Sequence, residues 1–392
     1  MSKKESLLRG VGVVIDDHVS DDTNDDIKRL IKNIEAKGFP LVKYDRIPLQ
    51  ANQIIANLGN VAFLVMDWEF QQTFLDRQEG VTINQELIGS KEKDVIRFIR
   101  QFRRSCIAPV FIFTNRGADA DAISRKLGKS AAAGVMIKDK SEISSAVIKT
   151  MEEWLCKCPS SYVLKLWNNV YDDAQQQMFK DFYKKHEMWP IPLYWAYKHD
   201  DDDPRRALTE LIMRNIAGRM RNMPLHEGYL KEDARLSIPK TLRSILELSA
   251  VVPVATDEKV SCGDLFVQRD GEGVLYQLNV RCDCDLYHSK KPELILLNGR
   301  EVARRRILDG KLYSEDNGFE RPLNGAYVFP INGGKCVCFK FKDFKRIKVS
   351  EVGTEKRIGR LLPPYITDIR QRHAQWLQRE GFPKIPMQAF RR

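Results

Sequence analysis

The chain has 392 residues, 43% hydrophobic and 30% charged, which suits two or three globular domains. No uncharged apolar stretch approaches the ~18 residues that cross a membrane, and the start, "MSKKESLLRG", lacks an apolar signal core, so neither a membrane span nor secretion is expected. Lys and Arg outnumber Asp and Glu by 64 to 53 overall, yet residues 1–150 are near balance at 23 to 20, while residues 301–392 carry 20 to 10.

Residues 8–153 alternate strand-like and helix-like runs. "VGVVID" (11–16) predicts a short buried strand. "DDTNDDIKRLIKNIEAKGF" (21–39) predicts a helix, with Ile27, Leu30, Ile31 and Ile34 at helical spacing and Gly38 as a stop. "PLVKYDRI" (40–47) is the next strand and "ANQIIANLGN" (51–60) a short helix. "VAFLVMD" (61–67) is a greasy strand that ends abruptly in an acid. The polar segment 71–90 is long for a loop and is expected to be an insertion over the site. Then follow helix 91–105, strand "APVFIFTN" (108–115), helix 119–129, strand "AGVMIK" (133–138) and helix 141–157. Five strands alternating with five helices predict an α/β fold with a doubly wound, five-stranded parallel sheet. Ligands of such sheets bind beyond the carboxyl ends of the strands.

Residues 154–249 read as a helical linker or domain, with helices over 160–186, 201–222 and 238–251. Val163, Trp167, Val170 and Tyr171 share one stripe, and stripes of this kind are expected to be core. Residues 250–392 read as a basic, β-rich domain. "GDLFVQRDGEGVLYQLNVRC" predicts two strands joined by a Gly-rich turn. "ELILLNGREV", "GAYVFPINGGKCVCFKF" and "KRIKVSEV" continue a small antiparallel sheet or barrel. "PPYITDIRQRHAQWLQREGF" predicts a terminal helix striped by Ile366, Ile369, His373 and Leu377.

The acids at the strand ends carry the chemistry. In a doubly wound sheet the first and third strands are neighbours, so Asp16, Asp17 and Asp67 are expected to converge at one sheet edge. Carboxylates packed together raise one another's pKa unless a cation offsets them. A hard divalent ion with oxygen ligands, most simply Mg2+, suits that site. Thr114 ends the fourth strand and Lys138 the fifth. A hydroxyl and an ammonium beside a metal-bound carboxylate make a place for a phosphoryl group.

This constellation resembles the receiver domain of bacterial response regulators over about residues 8–153. The resemblance implies that Asp16 and Asp17 hold Mg2+, that Asp67 accepts a phosphoryl group from a partner histidine kinase, and that Thr114 and Lys138 contact the phosphoryl oxygens. It implies a phosphoacceptor, not an enzyme, and eight cysteines without a signal core lead one to expect reduced thiols in a cytoplasm. Three positions depart from the pattern: Asn115 where a small residue is usual, Asp139 where proline is usual, and Val135 where an aromatic switch residue is usual. The C-terminal region is similar to tails of receiver proteins encoded in bacterial operons beside GHKL-type histidine kinases, some in antiphage loci.

Other motifs are weaker. Cys156/Cys158, Cys282/Cys284 and Cys336/Cys338 are C-x-C pairs. On strands two such pairs would meet to bind zinc, but reduced core cysteines are the favoured expectation. His18 beside the acid pair reads as a helix-entry residue, and Asp283 and Asp285 near His288 as an exposed turn. No P-loop, nucleophile elbow or HExxH motif occurs, so no fused output enzyme is expected. The basic tail, with "ARRRI" and "KFKDFKRIKV", suits an acidic partner. A protein effector is favoured over nucleic acid because no groove-reading helix is visible.

Overall fold

The apolar runs of the first 139 residues form one parallel sheet. A computed structural model describes residues 6–20, 25–48, 50–57, 61–68, 85–114, 120–139, 146–200, 203–231, 238–271, 273–287, 289, 291–302, 326–331, 335–353 and 356–378. The strands are β1 (Gly12–Ile15), β2 (Leu41–Tyr44), β3 (Phe63–Asp67), β4 (Val110–Thr114) and β5 (Val135–Asp139). They lie in the order β2-β1-β3-β4-β5, a receiver-like topology. Strands β1, β3 and β4 are buried along their whole length, as expected when helices cover both faces.

On one face, α1 (Asp25–Ala36) and α6 (Val147–Cys156) press Leu30, Ile34, Met151 and Leu155 against Val14, Phe63, Val65 and Phe111. On the other face lie α2 (Ala51–Asn57), α3 (Gln85–Ser105), α4 (Ala120–Leu127) and the short α5 (Lys129–Ala132). There Ile55, Phe98, Ile99, Phe102 and Ile123 meet Val13, Ile15, Leu64, Met66 and Ile112. Helix α3 begins at Gln85, so residues 85–90 of the expected insertion are helical. The rest of it, 71–84, lies outside the described residues, and α5 is a helix the sequence reading did not contain.

Helix α7 (Pro159–Lys185) runs on from α6 and starts with proline, whose missing N–H costs nothing in a first turn. Its expected apolar stripe is corrected by a rotation. Trp167 is 45% exposed, whereas Tyr162, Leu166, Ala174 and Met178 are buried. Two polar residues, Lys165 and Asn169, occupy the same buried face. Lys165 Nζ donates to the Ala62 carbonyl, and Asn169 Nδ2 donates to the Ser6 carbonyl at 3.1 Å. The buried face of α7 is therefore partly bound by hydrogen bonds to the sheet and its leading segment, a pattern that apolar periodicity does not reveal.

Three more helices follow: α8 (Pro190–His199), α9 (Pro204–Arg219) and α10 (Ile238–Ala250). The chain divides into two compact units, one of Met1–Trp189 with Glu210–Glu232, the other of Pro190–Thr209 with Asp233–Arg392. The helical stretch 154–249 is shared between them. On α10 the apolar stripe is not core: Leu242, Ile245, Leu246 and Leu248 are all exposed.

The second unit contains a seven-stranded sheet. Its strands are β6 (Val251–Val252), β7 (Asp264–Asp270), β8 (Gly273–Asn279), β9 (Glu293–Val302), β10 (Ala326–Ile331), β11 (Lys335–Lys348) and β12 (Arg357–Leu361). The order is β10-β11-β9-β8-β7-β12-β6, with antiparallel pairing throughout. "KRIKVSEV" is not a separate strand. Its first four residues continue β11 past a bulge between Phe339 and Phe344. A short helix, α11 (Asp283–Tyr287), interrupts the β8–β9 connection, and the terminal helix α12 (Tyr365–Gln378) packs Ile366 and Ile369 on Leu297, Val337 and Phe341. Leu377, expected on that stripe, is 53% exposed. At Gly263 (φ +88°) a Cβ would stand 2.3 Å from the Leu361 carbonyl oxygen, so β7 and β12 approach there only through glycine.

Candidate functional site

The parallel register assembles the acids. Ile15 pairs with Met66, so Asp16, the next residue, comes level with Asp67. Asp16 N donates to the Tyr44 carbonyl at 3.0 Å, which extends the ladder one step past β1. Asp67 pairs with Phe113, and Phe113 with Lys138. Because side chains alternate along a strand, Asp67 shares a face with Phe63 and Val65, the α1/α6 face. Thr114, paired with Asp139, belongs to the alternate row, on the side of Val110 and Ile112.

Carboxylate oxygens of Asp16, Asp17 and Asp67 all lie within 4.8 Å of one another. Asp16 is 1% exposed, Asp67 is 3% exposed and Thr114 is fully buried. The turn after β1 is held by Asp16 itself, whose Oδ1 accepts from the His18 backbone N–H at 2.9 Å. Its carbonyl also accepts from Val19 N at 3.1 Å. His18 thus sits in a turn, with its Nε2 3.8 Å from Asp17 Oδ1.

Two buried carboxylates and a third beside them carry a dense negative charge in a desolvated place. Isolated, such charges cost several kcal/mol each. A divalent ion with oxygen ligands suits that donor set, and the separations leave room for one ion between the three. A cleft of about 620 Å³ borders Asp17 and is lined also by Asp45, Arg46, Gln50, Asp94 and Arg97. The sequence reading did not name Arg46 or Arg97. Their contribution comes from the β2–α2 connection and from α3, which only the fold brings beside β1.

Thr114 is the last residue of β4 as expected, whereas Lys138 is the last but one of β5, which runs a residue further to Asp139. Of the departures, Val135 starts β5 and packs on the α3/α4 core, so that core position is aliphatic. Asp139 pairs with Thr114, and Asn115 lies outside the described residues.

Among the described residues, no group of cysteines gathers the ligand atoms for a metal. Cys336 and Cys338 are buried on β11, while Cys156 ends α6 and Cys158 immediately precedes α7. Cys282 and Cys284 are not on a strand; they flank the start of α11. Asp283 is no free turn acid, because its Oδ1 accepts from Ser261 Oγ at 2.6 Å and from Cys262 N at 2.7 Å. His288 lies outside the described residues.

No protein-family model matches this chain, and no curated protein matches it either.

Proposed function

We propose that this chain is a response-regulator-like phosphoacceptor, in which Asp67 takes a phosphoryl group from a histidine kinase. The observation that carries the reading is the convergence of Asp16, Asp17 and Asp67 within 4.8 Å at the carboxyl edge of a β2-β1-β3-β4-β5 sheet. Thr114, the last residue of β4, and Lys138, the last but one of β5, add to it. Asp16, Asp17 and Asp67 are the residues that would hold Mg2+. Bound there, the ion supplies positive charge to offset the carboxylates and an incoming phosphoryl group.

The residues divide the work. An Asp67 oxygen attacks phosphorus, the nitrogen–phosphorus bond of the donor's phosphohistidine breaks, and the leaving imidazole nitrogen keeps the electron pair and takes a proton. Lys138 offers an ammonium, and Thr114 a hydroxyl, to the oxygens of the transferred group. The new charge biases the sheet edge between two states and signals through the β-rich unit to a protein effector. With an aliphatic Val135, that signal does not run through an aromatic ring on β5.

The test is intact-mass spectrometry of the full chain with Mg2+ and either a small phosphodonor or a phosphorylated kinase. The expected result is one phosphoryl adduct in the wild type and none in Asp67→Asn. A chain that takes no adduct from any donor, or one that keeps the adduct in Asp67→Asn, overturns the reading.

A further inference from the structure

The second unit gathers sulfur and charge where β8 turns into α11. Cys284 Sγ donates a hydrogen bond to Cys282 Sγ across 3.1 Å. Arg370, from α12, faces the same cleft as Cys282. Cys284 is exposed and Cys282 half-buried. The cleft, of about 420 Å³, opens on Cys282 and is lined also by Asp285, Ile295, Thr367, Arg370 and Ala374.

The frame around the two thiols is fixed. Asp283, between them, anchors to Ser261 Oγ and Cys262 N. Arg281 Nε pairs with Asp285 Oδ2 at 3.0 Å. Leu286 N donates to the Cys282 carbonyl at 3.2 Å, and Val280 N to the Ile295 carbonyl at 2.9 Å. Cys262 is also in the neighbourhood, but burial pushes its thiol up to about 12, so it stays protonated. Cys282 is shifted the other way: the hydrogen bond from Cys284 and the Arg370 guanidinium lower its pKa against the cost of burial. Cys284, as the donor, is raised. The asymmetry separates a nucleophile from a resolving thiol, since the thiolate is the reactive form.

We propose that Cys282 and Cys284 are an oxidisable dithiol that reduces a hydroperoxide and closes to an intrachain disulfide. The Cys282 thiolate attacks the terminal peroxide oxygen. A sulfur–oxygen bond forms, the oxygen–oxygen bond breaks, and the alcohol or water leaves after taking one proton. Cys282 is then a sulfenic acid. The Cys284 sulfur attacks the Cys282 sulfur, a disulfide forms, and the departing hydroxide takes the Cys284 proton to leave as water. Two thiols lose two electrons and the peroxide gains them. A small thiol reductant of the glutathione class returns the pair to its reduced form.

The tryptic peptide from Cys282 to Lys290 contains both sulfurs and no others, so the disulfide is read as a loss of two hydrogens within one peptide. The full chain is treated with equimolar hydrogen peroxide, quenched by alkylation and digested over a time course. This peptide is expected to oxidise at least about tenfold faster than those holding Cys106 or Cys336, because those two thiols are buried whereas Cys282 lines an open cleft. In Cys284→Ser, dimedone is expected to trap a sulfenic acid on Cys282. In Arg370→Gln, the pH midpoint for alkylation of Cys282 is expected to rise and its oxidation to slow by about tenfold, with Arg370→Lys partly restoring both. Equal oxidation rates across the cysteines, a disulfide that joins Cys282 to Cys262, or an Arg370→Lys protein alkylating like Arg370→Gln overturns the proposal.

Discussion

Lys165 carries an ammonium into the first core at 3% exposure, where it meets the Ala62 carbonyl at the entrance to β3. Burial lowers its pKa to about 8 from an ordinary 10.5. The sign follows from linkage. Above 10.5 the group is neutral folded and unfolded, so it costs nothing. As pH falls from 10.5 to 8 the unfolded chain binds the proton first, and stability drops. Below 8 the full cost, about 3 kcal/mol on an order-of-magnitude basis, is constant. Measured by denaturant unfolding, the stability of the wild type relative to Lys165→Met is therefore expected to rise between pH 8 and 10 and to stay level from 6 to 7.5. A difference that is flat across the whole range contradicts the assignment. The acids at the opposite edge of the sheet make the converse prediction. A cation that binds Asp16, Asp17 and Asp67 only in the folded chain, as proposed above, would stabilise that chain by about 1.4 kcal/mol at roughly ten times Kd. Calorimetry is expected to show Mg2+ raising Tm in the wild type, EDTA removing the rise, and Asp17→Ala lacking it. An equal rise in Asp17→Ala would place the ion elsewhere.

At the scale of elements, one buried carboxylate ties β7 to β12. Asp264 is wholly buried and accepts from Arg357 Nη1 at 2.9 Å, Arg360 Nε at 2.6 Å and Ser261 N at 2.9 Å. Arg357 in turn donates to the carbonyls of Ala255, Glu258 and Lys259, which closes the β6–β7 connection over the strand pair. Asp264→Ala leaves the buried Arg357 guanidinium without a carboxylate, while Arg360 keeps Glu258 Oε1 at 2.5 Å. The expected loss is about 3–5 kcal/mol in denaturant unfolding of the second unit, whereas a solvent-exposed pair such as Arg214–Glu210 contributes under about 1 kcal/mol. A loss at Asp264 no larger than at Glu210 contradicts the network. The same contrast explains what was legible in the sequence. Strands β1, β3 and β4 were readable because burial on both faces leaves continuous apolar runs, the edge strands β2 and β5 because they alternate with helices, and Asp16 and Asp67 because each breaks a buried run. Strand β12 was not, since Arg357 and Arg360 look like solvated tail and their buried partner is 93 to 96 positions away. The stripe of α7 was misplaced because Lys165 and Asn169 hold core positions that hydropathy assigns to water. The pairing of Cys282 and Cys284 with Arg370 depends on α12 returning to the β8–α11 turn, which spacing alone does not encode.

For the whole molecule, the charge asymmetry is the property that bears on the proposed partner. The last 92 residues hold 20 Lys and Arg against 10 Asp and Glu, and β11 displays part of that excess as exposed Lys340, Lys342, Arg346 and Lys348. Some of it is already neutralised: Arg346 pairs with Glu293 at 2.5 Å. The strand also carries Phe339 and Phe341, yet both rings are buried in the core beneath and offer no stacking platform to bases. The third ring of the strand, Phe344, is 39% exposed and sits against His373 of α12, so β11 offers one partly exposed ring and no row of them. A basic strand of that kind is suited to an acidic protein surface, where screening by salt is shallow and affinity rests on a few contacts. Fluorescence anisotropy with labelled duplex and single strand measures the alternative. Binding is expected to stay in the non-specific range, about 10⁻⁴–10⁻⁶ M at physiological salt, and to fall with a log–log salt slope near −0.9 per phosphate contact for the duplex. Lys340→Glu/Lys342→Glu/Lys348→Glu is expected to lower that slope by about three. A nanomolar duplex complex at physiological salt, abolished by the same triple substitution, would instead make β11 a nucleic-acid surface and the chain a DNA-binding regulator.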